Sequence, residues 1–231
     1  MTVYFIGGID TDVGKSYATG MMARYLLKRN ISVITQKLVQ TGVESAIADD
    51  LWLHRKLMGI APQPRDIDGT TCRELYKFPA SPHLAATREK RTINLELVTE
   101  ATAILQREYE IVLLEGAGGM HVPLTSDYLT VDYVAEQHYP LILVTSGRLG
   151  SINHTLMSLE TAAARGILIA GIVFNHFFDA NQEITADALK IFRSELKRYG
   201  CDGTLIELPA VDEANPAEID FGNIFERGFS C

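Results

Sequence analysis

The feature that most constrains the fold is a strand, loop and helix at the start of the chain. Residues 2–8 (TVYFIGG) form a short apolar run of β-branched and aromatic residues, which is typical of a buried strand. Residues 15–29 are predicted to form a helix, and the residues at its C-terminal end favour termination there. Lys28 and Arg29 favour the negative helix end, and Asn30 can adopt a left-handed cap. This pattern predicts a βα unit, the building block of a parallel sheet.

The same alternation of strands and helices continues along the chain. Further strands are predicted at residues 32–39, 111–116, 140–146, 168–175 and 203–209, and further helices at 50–58, 95–107, 152–165 and 185–199. Several strands are apolar on both faces, which favours burial between two helical layers. The sequence therefore predicts a three-layer α/β fold, a mostly parallel sheet flanked by helices, as one domain over residues 1–231. Residues 59–83 carry several prolines and are expected to form an excursion from the sheet.

Composition excludes several classes of protein. The net charge of −8 argues against non-specific binding to nucleic acid, which needs a basic face. No apolar run approaches the roughly eighteen residues expected of a membrane span, and no targeting peptide is visible. Cys72, Cys201 and Cys231 are an odd number without C-x-x-C spacing, so neither a disulfide framework nor a zinc site is indicated. We expect a cytoplasmic protein that binds neither nucleic acid nor membrane.

The loop after the first strand resembles a phosphate-binding loop that is one residue too long. The pattern G-x-x-x-x-G-K-[ST] would place a glycine at position 9, where the chain has Ile9, and the nearest glycine is Gly8. Loop N–H groups and the helix N-terminus can hold phosphate oxygens. Lys15 would neutralise β and γ oxygens, and the Ser16 hydroxyl would bind Mg²⁺. The alternative is a glycine turn that only caps the helix. The extra residue makes a wider, more polar rim, with room for a second ligand beside the γ-phosphate.

Other charged residues are predicted at the same edge of the sheet. Glu115 ends a buried strand before a run of glycines, which suits a Mg²⁺ ligand or a water-positioning group. Lys37 lies near the end of the second strand, although a lone lysine there is usually just solvated. Asp49 and Asp50 precede a helix and could be plain capping acids. His54, His83, His121 and His138 show no metal-ligand spacing and are left as surface or core residues.

The long loop identifies a family resemblance. The stretch GGIDTDVGKS (7–16) resembles the lengthened loop of dethiobiotin synthetases, in which a glycine is followed by five residues and then G-K-[ST]. The resemblance continues through QKLVQTG (36–42), ADDLWL (48–53), SPHLAA (81–86), LLEGAGG (113–119), RLGSINH (148–154) and VFNH (173–176). These segments occur in order, at the ends of predicted strands, over most of the chain. The resemblance implies a P-loop NTPase-like fold.

The resemblance also implies a reaction and its partners. Enzymes of this family use ATP and Mg²⁺ to carboxylate 7,8-diaminononanoate with CO₂ and close its ring. The products are dethiobiotin, ADP and phosphate, through a phosphorylated carbamate, in biotin biosynthesis. The family further implies a homodimer with its sites at the interface. The expected cofactor is therefore Mg²⁺, with ATP as co-substrate and small molecules as the other partners.

Catalytic and substrate-binding roles are carried over from the family by position. The catalytic residues implied are Lys37, Lys15 and Thr11. The substrate-binding residues implied are Thr41, Gly150, Ser151 and Asn153. The last three begin the helix after the fourth strand and would reach the substrate tail of the neighbouring subunit; ordinary capping by Ser151 is the alternative. Leu38 stands where the family usually has proline, which puts the local strand geometry in question.

Nucleotide and metal roles are implied in the same way. The nucleotide-binding residues are Asp12, Val13, Gly14, Lys15, Ser16, Tyr17, Asp50, Glu115, Gly116, Ala117, Gly118, Asn175, His176, Pro209, Ala210 and Val211. The metal ligands are Ser16, Asp50 and Glu115, with the choice between Asp49 and Asp50 left open. Asn175 could pair with the N6/N7 edge of adenine. The Lys and Asp of the guanine-binding N-K-x-D pattern are missing at positions 176 and 178, which favours ATP.

Three alternative hypotheses about the class of protein remain open from the sequence. Cobyrinate amide ligases typically carry a glutaminase part after the synthetase part, for which this chain has no room. Partition and septum-positioning ATPases usually have an extra lysine near the first glycine of the loop, and residues 7–9 (GGI) provide none. A non-catalytic paralogue that binds nucleotide is the third.

Overall fold

The computed structural model describes residues 1–179, 181–210 and 216–225. Within these ranges the strands are β1 (Thr2–Gly8), β2 (Val33–Lys37), β3 (Gln40–Thr41), β4 (Leu75–Tyr76), β5 (Ile111–Glu115), β6 (Leu141–Ser146), β7 (Ile169–Asn175) and β8 (Leu205–Leu208). One six-stranded sheet has the order β2-β5-β1-β6-β7-β8, and every pairing in it is parallel. Strands β3 and β4 form a separate, two-stranded parallel sheet.

Helices follow most of the strands. In the same ranges they are α1 (Lys15–Lys28), α2 (Asp49–Met58), α3 (Pro64–Ile67), α4 (Pro82–Arg88), α5 (Leu95–Glu108), α6 (Thr130–Glu136), α7 (Ser151–Ala164), α8 (Gln182–Arg198) and α9 (Gly222–Phe225), with a 3₁₀ turn at His176–Phe178. Here no helix has the length and apolar character needed to cross a membrane.

The core lies on both faces of the large sheet. Successive side chains of a strand point to opposite faces. In β1, Val3 and Phe5 belong to a core cluster that includes residues of α5, α7 and α8. Tyr4 and Ile6 belong to a second cluster with residues of α1, α2 and α9. This arrangement confirms the predicted three-layer α/β fold.

The strand order of the large sheet changes direction at β1. Strand β1 has β5 on one side and β6 on the other, so the strand order reverses around it. Ligands of open α/β sheets bind outside the carboxyl ends of strands at such a point. The register pairs Glu115 at the end of β5 with both Lys37 of β2 and Ile6 of β1. The fold therefore gathers the predicted charged residues at one edge.

The predicted elements are confirmed with shifts at their ends. Asn30 has the left-handed conformation expected after α1, with φ of 60°. Helix α8 begins at Gln182, ahead of the predicted residue 185, because the Asn181 side chain accepts hydrogen bonds from the next turn. The elements missed from sequence are short, and α3, β4 and the start of α4 lie in the excursion expected at residues 59–83. The missed elements are α3, α4, α6, α9, β3 and β4.

Candidate active site

A cavity of about 550 Å³ opens at the carboxyl edge of the sheet. Its lining comprises Thr11, Asp12, Gly14, Lys15, Ser16, Tyr17, Lys37, Val39, Gln40, Thr41, Asp50, Leu53, Glu115, Ala117, Gly118, Asn175, Phe177 and Phe178. Most of these residues were predicted from the sequence to belong to the site. Five lining residues were not predicted from sequence: Val39, Gln40, Leu53, Phe177 and Phe178.

The first loop leads into α1 through a left-handed glycine. Gly14 has φ of 97°, and a Cβ there would lie 2.2 Å from Nδ2 of Asn175, so only glycine fits. Lys15 is buried, and its Nζ donates to the carbonyl of Asp10 at 2.8 Å. Burial lowers the pKa of Lys15 to about 8, and the positive charge of Lys37 acts in the same direction. A nearby phosphate would favour the charged form of this lysine.

The second lysine stands between two carboxylates. Nζ of Lys37 donates to Oε1 of Glu115 at 2.7 Å and to the carbonyl of Gly116 at 3.1 Å, and it forms an ion pair with Asp50. The Ser16 hydroxyl donates to the same Oε1 at 2.9 Å. Burial alone would lower the pKa of Lys37, but the charges of Glu115 and Asp50 raise it overall. The lysine therefore stays protonated, and it holds both carboxylates close together.

These oxygen groups have the chemistry of a magnesium site. The Asp50 and Glu115 carboxylates both contact the Lys37 ammonium, and the Ser16 hydroxyl contacts the same Glu115 oxygen. Mg²⁺ prefers such hard oxygen ligands and is usually held by one or two carboxylates together with substrate phosphates. Over the described ranges no group of three or more His, Cys, Asp or Glu could hold a metal. A magnesium ion here would thus need nucleotide oxygens as well, and the residues present fit that role.

Asp50 and Asp49 differ in position. Asp50 lies in the first turn of α2, lines the cavity and reaches Lys37, whereas Asp49 is exposed and is not part of the lining. The geometry therefore favours Asp50 as the carboxylate that shares the site with Glu115.

Leu38 has a backbone N–H, which proline lacks, and this group forms a hydrogen bond. Its N–H donates to the carbonyl of Glu115 at 2.8 Å, and its side chain is fully buried. Proline could not make this bond. The departure from the family pattern thus adds a backbone contact between the β2 end and Glu115.

Asn175 ties the end of β7 to the first loop. Its Nδ2 donates to the carbonyl of Val13 at 3.0 Å, and its Oδ1 accepts from the N–H of Phe177 at 3.1 Å. An amide has a second N–H and a second lone pair, so pairing with an adenine edge is chemically compatible with both bonds. Phe177 and Phe178 line the cavity beside it, and the Arg148 guanidinium lies 3.6 Å from the Phe178 ring centre.

The remaining nucleotide candidates lie outside the lining. His176 contacts the carboxylates of Asp179 and Glu207 instead. Pro209 and Ala210 directly follow β8, whose last residue pairs with Asn175, so they lie at the same edge. Val211 lies outside the described residues.

Two further nucleotide candidates contact residues of the cavity through their backbone carbonyls. The carbonyl of Val13 accepts from Asn175, and that of Gly116 accepts from Lys37.

The catalytic candidate Thr11 and the four substrate-binding candidates divide into two groups by position. Thr11 and Thr41 line the cavity. Gly150, Ser151 and Asn153 do not. Gly150 has φ of 92° and precedes α7, Ser151 is buried against Ser146, and Asn153 is exposed. A single chain therefore does not bring this group to the cavity, and its action on a neighbouring subunit stays a prediction.

Sequence reasoning missed a histidine next to the charged cluster. His54 is fully buried, with Nε2 2.8 Å from Oε2 of Glu115 and Nδ1 3.0 Å from the Thr35 hydroxyl. One available signal was its spacing. His54 follows Asp50 by four residues on α2, and such residues share a helix face.

Comparison with solved structures shows the fold. The chain resembles a ParA family ATPase from Chlorobium tepidum (TM-score 0.53, 17% identity, 92% of this chain and 86% of the other). It also resembles the MinC:MinD complex of Aquifex aeolicus (TM-score 0.53, 12% identity, 90% and 81%) and the cell division protein FtsY of Thermotoga maritima (TM-score 0.54, 15% identity, 97% and 67%). At these identities only the fold is shared.

Comparison of sequences is more specific. A family model described as an AAA domain matches residues 2–211. The chain is 49% identical over 210 residues to "ATP-dependent dethiobiotin synthetase BioD" of Chlorobaculum tepidum, covering 91% of this chain and 86% of the relative. It is 52% identical over 175 residues to "ATP-dependent dethiobiotin synthetase BioD 2" of Haemophilus influenzae (76% and 91%) and 45% identical over 206 residues to that of Pasteurella multocida (89% and 96%). The chain therefore belongs to the ATP-dependent dethiobiotin synthetase family of P-loop NTPases.

Proposed function

We propose that the protein is an ATP-dependent ligase that forms dethiobiotin in biotin biosynthesis. The substrates would be 7,8-diaminononanoate, CO₂ and ATP, as in the family to which the chain belongs. The observation that carries the proposal is the charged cluster in the cavity: Lys37 between Asp50 and Glu115, beside the loop that holds Lys15.

The reaction has three steps: carbamate formation, phosphoryl transfer and ring closure. One amine takes up CO₂ and loses a proton to give a carbamate. A carbamate oxygen then attacks the γ-phosphorus, and the bond to ADP breaks. The second amine attacks the carbonyl carbon of the mixed anhydride, forming the ring and expelling phosphate as the amine proton is lost. Both the carbamate and the transferred phosphoryl group are anionic, so positioning and positive charge are the main demands on the protein.

The two lysines would meet that demand in different places. Lys15 would neutralise the β and γ phosphate oxygens from the loop. The raised pKa of Lys37 keeps its ammonium charged, so it would act as an electrostatic partner of carbamate and phosphoryl oxygens and not as a base. The hydroxyls of Thr11 and Thr41, which both line the cavity, would orient the carbamate.

The nucleotide would be held by the loop, the metal ligands and the β7 edge. Ser16, Asp50 and Glu115 would hold Mg²⁺, which when bound supplies charge neutralisation at the phosphate oxygens. Asn175 would pair with adenine while keeping its bond to the loop. Tyr17, Ala117 and Gly118 line the same cavity and would complete the phosphate end.

A homodimer belongs to the same proposal. Gly150, Ser151 and Asn153 lie away from the cavity of their own chain, at the start of α7. Leu149 and Met157, in the same region, are 91% and 53% exposed. A second copy packed here would cover this apolar surface and place the α7 start at its partner's site. We further propose that the protein is cytoplasmic, and its net charge of −8 supports a role away from nucleic acid and membrane.

The test is product formation from defined substrates. Purified protein is incubated with 7,8-diaminononanoate, bicarbonate and MgATP, while dethiobiotin is followed by mass spectrometry and phosphate release by colorimetry. The wild type and Lys190→Ala, a change at an exposed lysine of α8, should form product at similar rates, and Lys37→Ala should form it about 10²-fold to 10³-fold more slowly. ATP binding without ring closure in the wild type would overturn the proposal in favour of an amide ligase or a non-catalytic paralogue.

A further inference from the structure

His54 lies in the core next to the site and contacts the carboxylate of Glu115. Both residues are fully buried, and Nε2 of His54 lies 2.8 Å from Oε2 of Glu115. The other oxygen of the same carboxylate, Oε1, contacts Lys37 and Ser16 at the cavity. The two oxygens of Glu115 therefore have separate partners, one inside the core and one at the site.

The acceptor character of a carboxylate fixes the direction of the hydrogen bond between His54 and Glu115. A carboxylate can only accept, so Nε2 of His54 carries the proton and donates to Glu115. On the other side, Nη1 of Arg55 donates to the Thr35 hydroxyl at 2.7 Å. The Thr35 hydroxyl then has its own proton to give to Nδ1 of His54, 3.0 Å away. Each polar atom in the series from Arg55 to Glu115 thus has a hydrogen-bond partner.

The hydrogen bonds from Arg55 through Thr35 and His54 restrict the terminal side-chain torsion of Glu115. The terminal torsion of a glutamate side chain is broad, so a carboxylate without partners can turn. With Oε2 held by His54, the carboxylate plane is set and Oε1 is directed at the cavity. The contacts that orient a metal ligand are worth about 10-fold to 100-fold in metal affinity or activity when they are removed.

We propose that His54 is a positioning residue that holds Glu115 with Oε1 toward the magnesium-nucleotide. The inference rests on the proposed function only in taking Glu115 as a ligand of the metal. His54 touches neither substrate nor cofactor; it acts through Glu115. A purely structural histidine would affect the stability of the fold and leave the magnesium dependence of nucleotide binding unchanged.

The test separates these two roles by the Mg²⁺ dependence of nucleotide binding. The affinity of a fluorescent ATP analogue is titrated in EDTA and over a range of Mg²⁺ concentrations, with urea denaturation as the measure of folding. His54→Leu removes the donor to Glu115. His54→Gln keeps an amide N–H the same number of bonds from Cβ as Nε2. His121→Leu, at an exposed histidine, is the matched control.

The proposal expects a loss confined to the metal-linked part of binding. His54→Leu should need about 10-fold to 100-fold more Mg²⁺ for tight nucleotide binding, with metal-free affinity close to wild type. His54→Gln should recover most of the loss, and His121→Leu should show none. Wild-type Mg²⁺ dependence in folded His54→Leu would overturn the proposal. Should that variant fail to fold, His54→Asn, which is one bond too short, replaces it. Equal Mg²⁺ dependence in His54→Asn and His54→Gln would then overturn the proposal.

The same measurements keep this inference apart from the proposed function. A wild type that binds nucleotide with Mg²⁺, responds to His54 and makes no dethiobiotin would overturn the proposed reaction and support the positioning role. A wild type that makes dethiobiotin while His54→Leu keeps normal Mg²⁺ dependence would support the reaction and overturn the positioning role.

Discussion

Two buried ion pairs lie close together in this molecule and differ in what surrounds them. Arg55 and Asp66 are joined by two hydrogen bonds of 2.7 Å, and both residues are about 1% exposed. Asp66 also accepts from the Gln63 N–H at 2.7 Å and from the Thr71 hydroxyl at 2.8 Å. The carboxylate is thus fully occupied by protein donors, and the pair is part of the core.

The second pair is open on one side. Lys37 binds Glu115 and Asp50, but these three residues line a cavity, and the Asp50 side chain is 25% exposed. Part of the Asp50 carboxylate therefore remains available to a ligand. The difference separates a structural ion pair from one arranged for chemistry. Lys37 and Glu115 are as buried as Arg55 and Asp66; what differs is that the Asp50 carboxylate beside them keeps an exposed part, whereas the Asp66 carboxylate is occupied by protein donors.

The largest expected effect is on the closed pair. Asp66→Asn keeps the shape of the side chain but leaves the Arg55 guanidinium buried without a countercharge. Breaking a buried pair in this way costs about 3–5 kcal/mol in the free energy of unfolding. Urea denaturation measures the loss, and turnover per folded molecule should stay near the wild-type value. A small change in stability would show that the two pairs do not differ as described.

The next effect is on the open pair and falls on the reaction. Lys37→Ala removes the charge from the cavity, and we expect kcat/KM to fall about 10²-fold to 10³-fold, the cost of a lost donor to a developing anion. Stability should change less than in Asp66→Asn, because water in the cavity can solvate Asp50 and Glu115. Steady-state kinetics with 7,8-diaminononanoate gives the first quantity and urea denaturation the second. Near-normal turnover would remove Lys37 from the catalytic residues.

A third test uses pH to isolate the closed pair. Burial alone would raise the pKa of Asp66, but the hydrogen bonds and charge of Arg55 lower it overall. A carboxyl whose folded pKa is lowered stabilises the fold above its unfolded pKa of about 3.9 and loses that contribution as pH falls through the folded value. The stability gap between wild type and Asp66→Asn should therefore be constant near neutrality and narrow below about pH 4. A gap that stays constant down to pH 2.5 would contradict the assignment.

The smallest effect is expected at a surface pair that serves as reference. Arg65 contacts Glu108 where the side chains are 31% and 38% exposed. Exposed pairs contribute about 0–1 kcal/mol, so Glu108→Gln should change unfolding free energy by no more than that. A loss as large as that of Asp66→Asn would mean that burial is not what distinguishes the core pair.

Much of the fold and part of the site followed from local patterns in the sequence. Strands β1, β2, β5, β6, β7 and β8 were predicted because their apolar runs are local and strong. The strand ends then placed Lys15, Lys37, Glu115 and Asn175 at one edge, since parallel strands share their carboxyl edge. Short elements such as α3 and β3 carry too little periodicity to be predicted.

Other features depended on how the helices pack, which no local pattern determines. His54 meets Glu115 across 61 residues of sequence, and Asn175 meets Val13 across 162. Which of Asp49 and Asp50 faces Lys37 depends on the rotation of α2 about its axis. The sequence alone determined the type and order of the elements and the edge where chemistry occurs. Only the tertiary structure decided which side chains share hydrogen bonds there, because those bonds form between elements that meet only after packing.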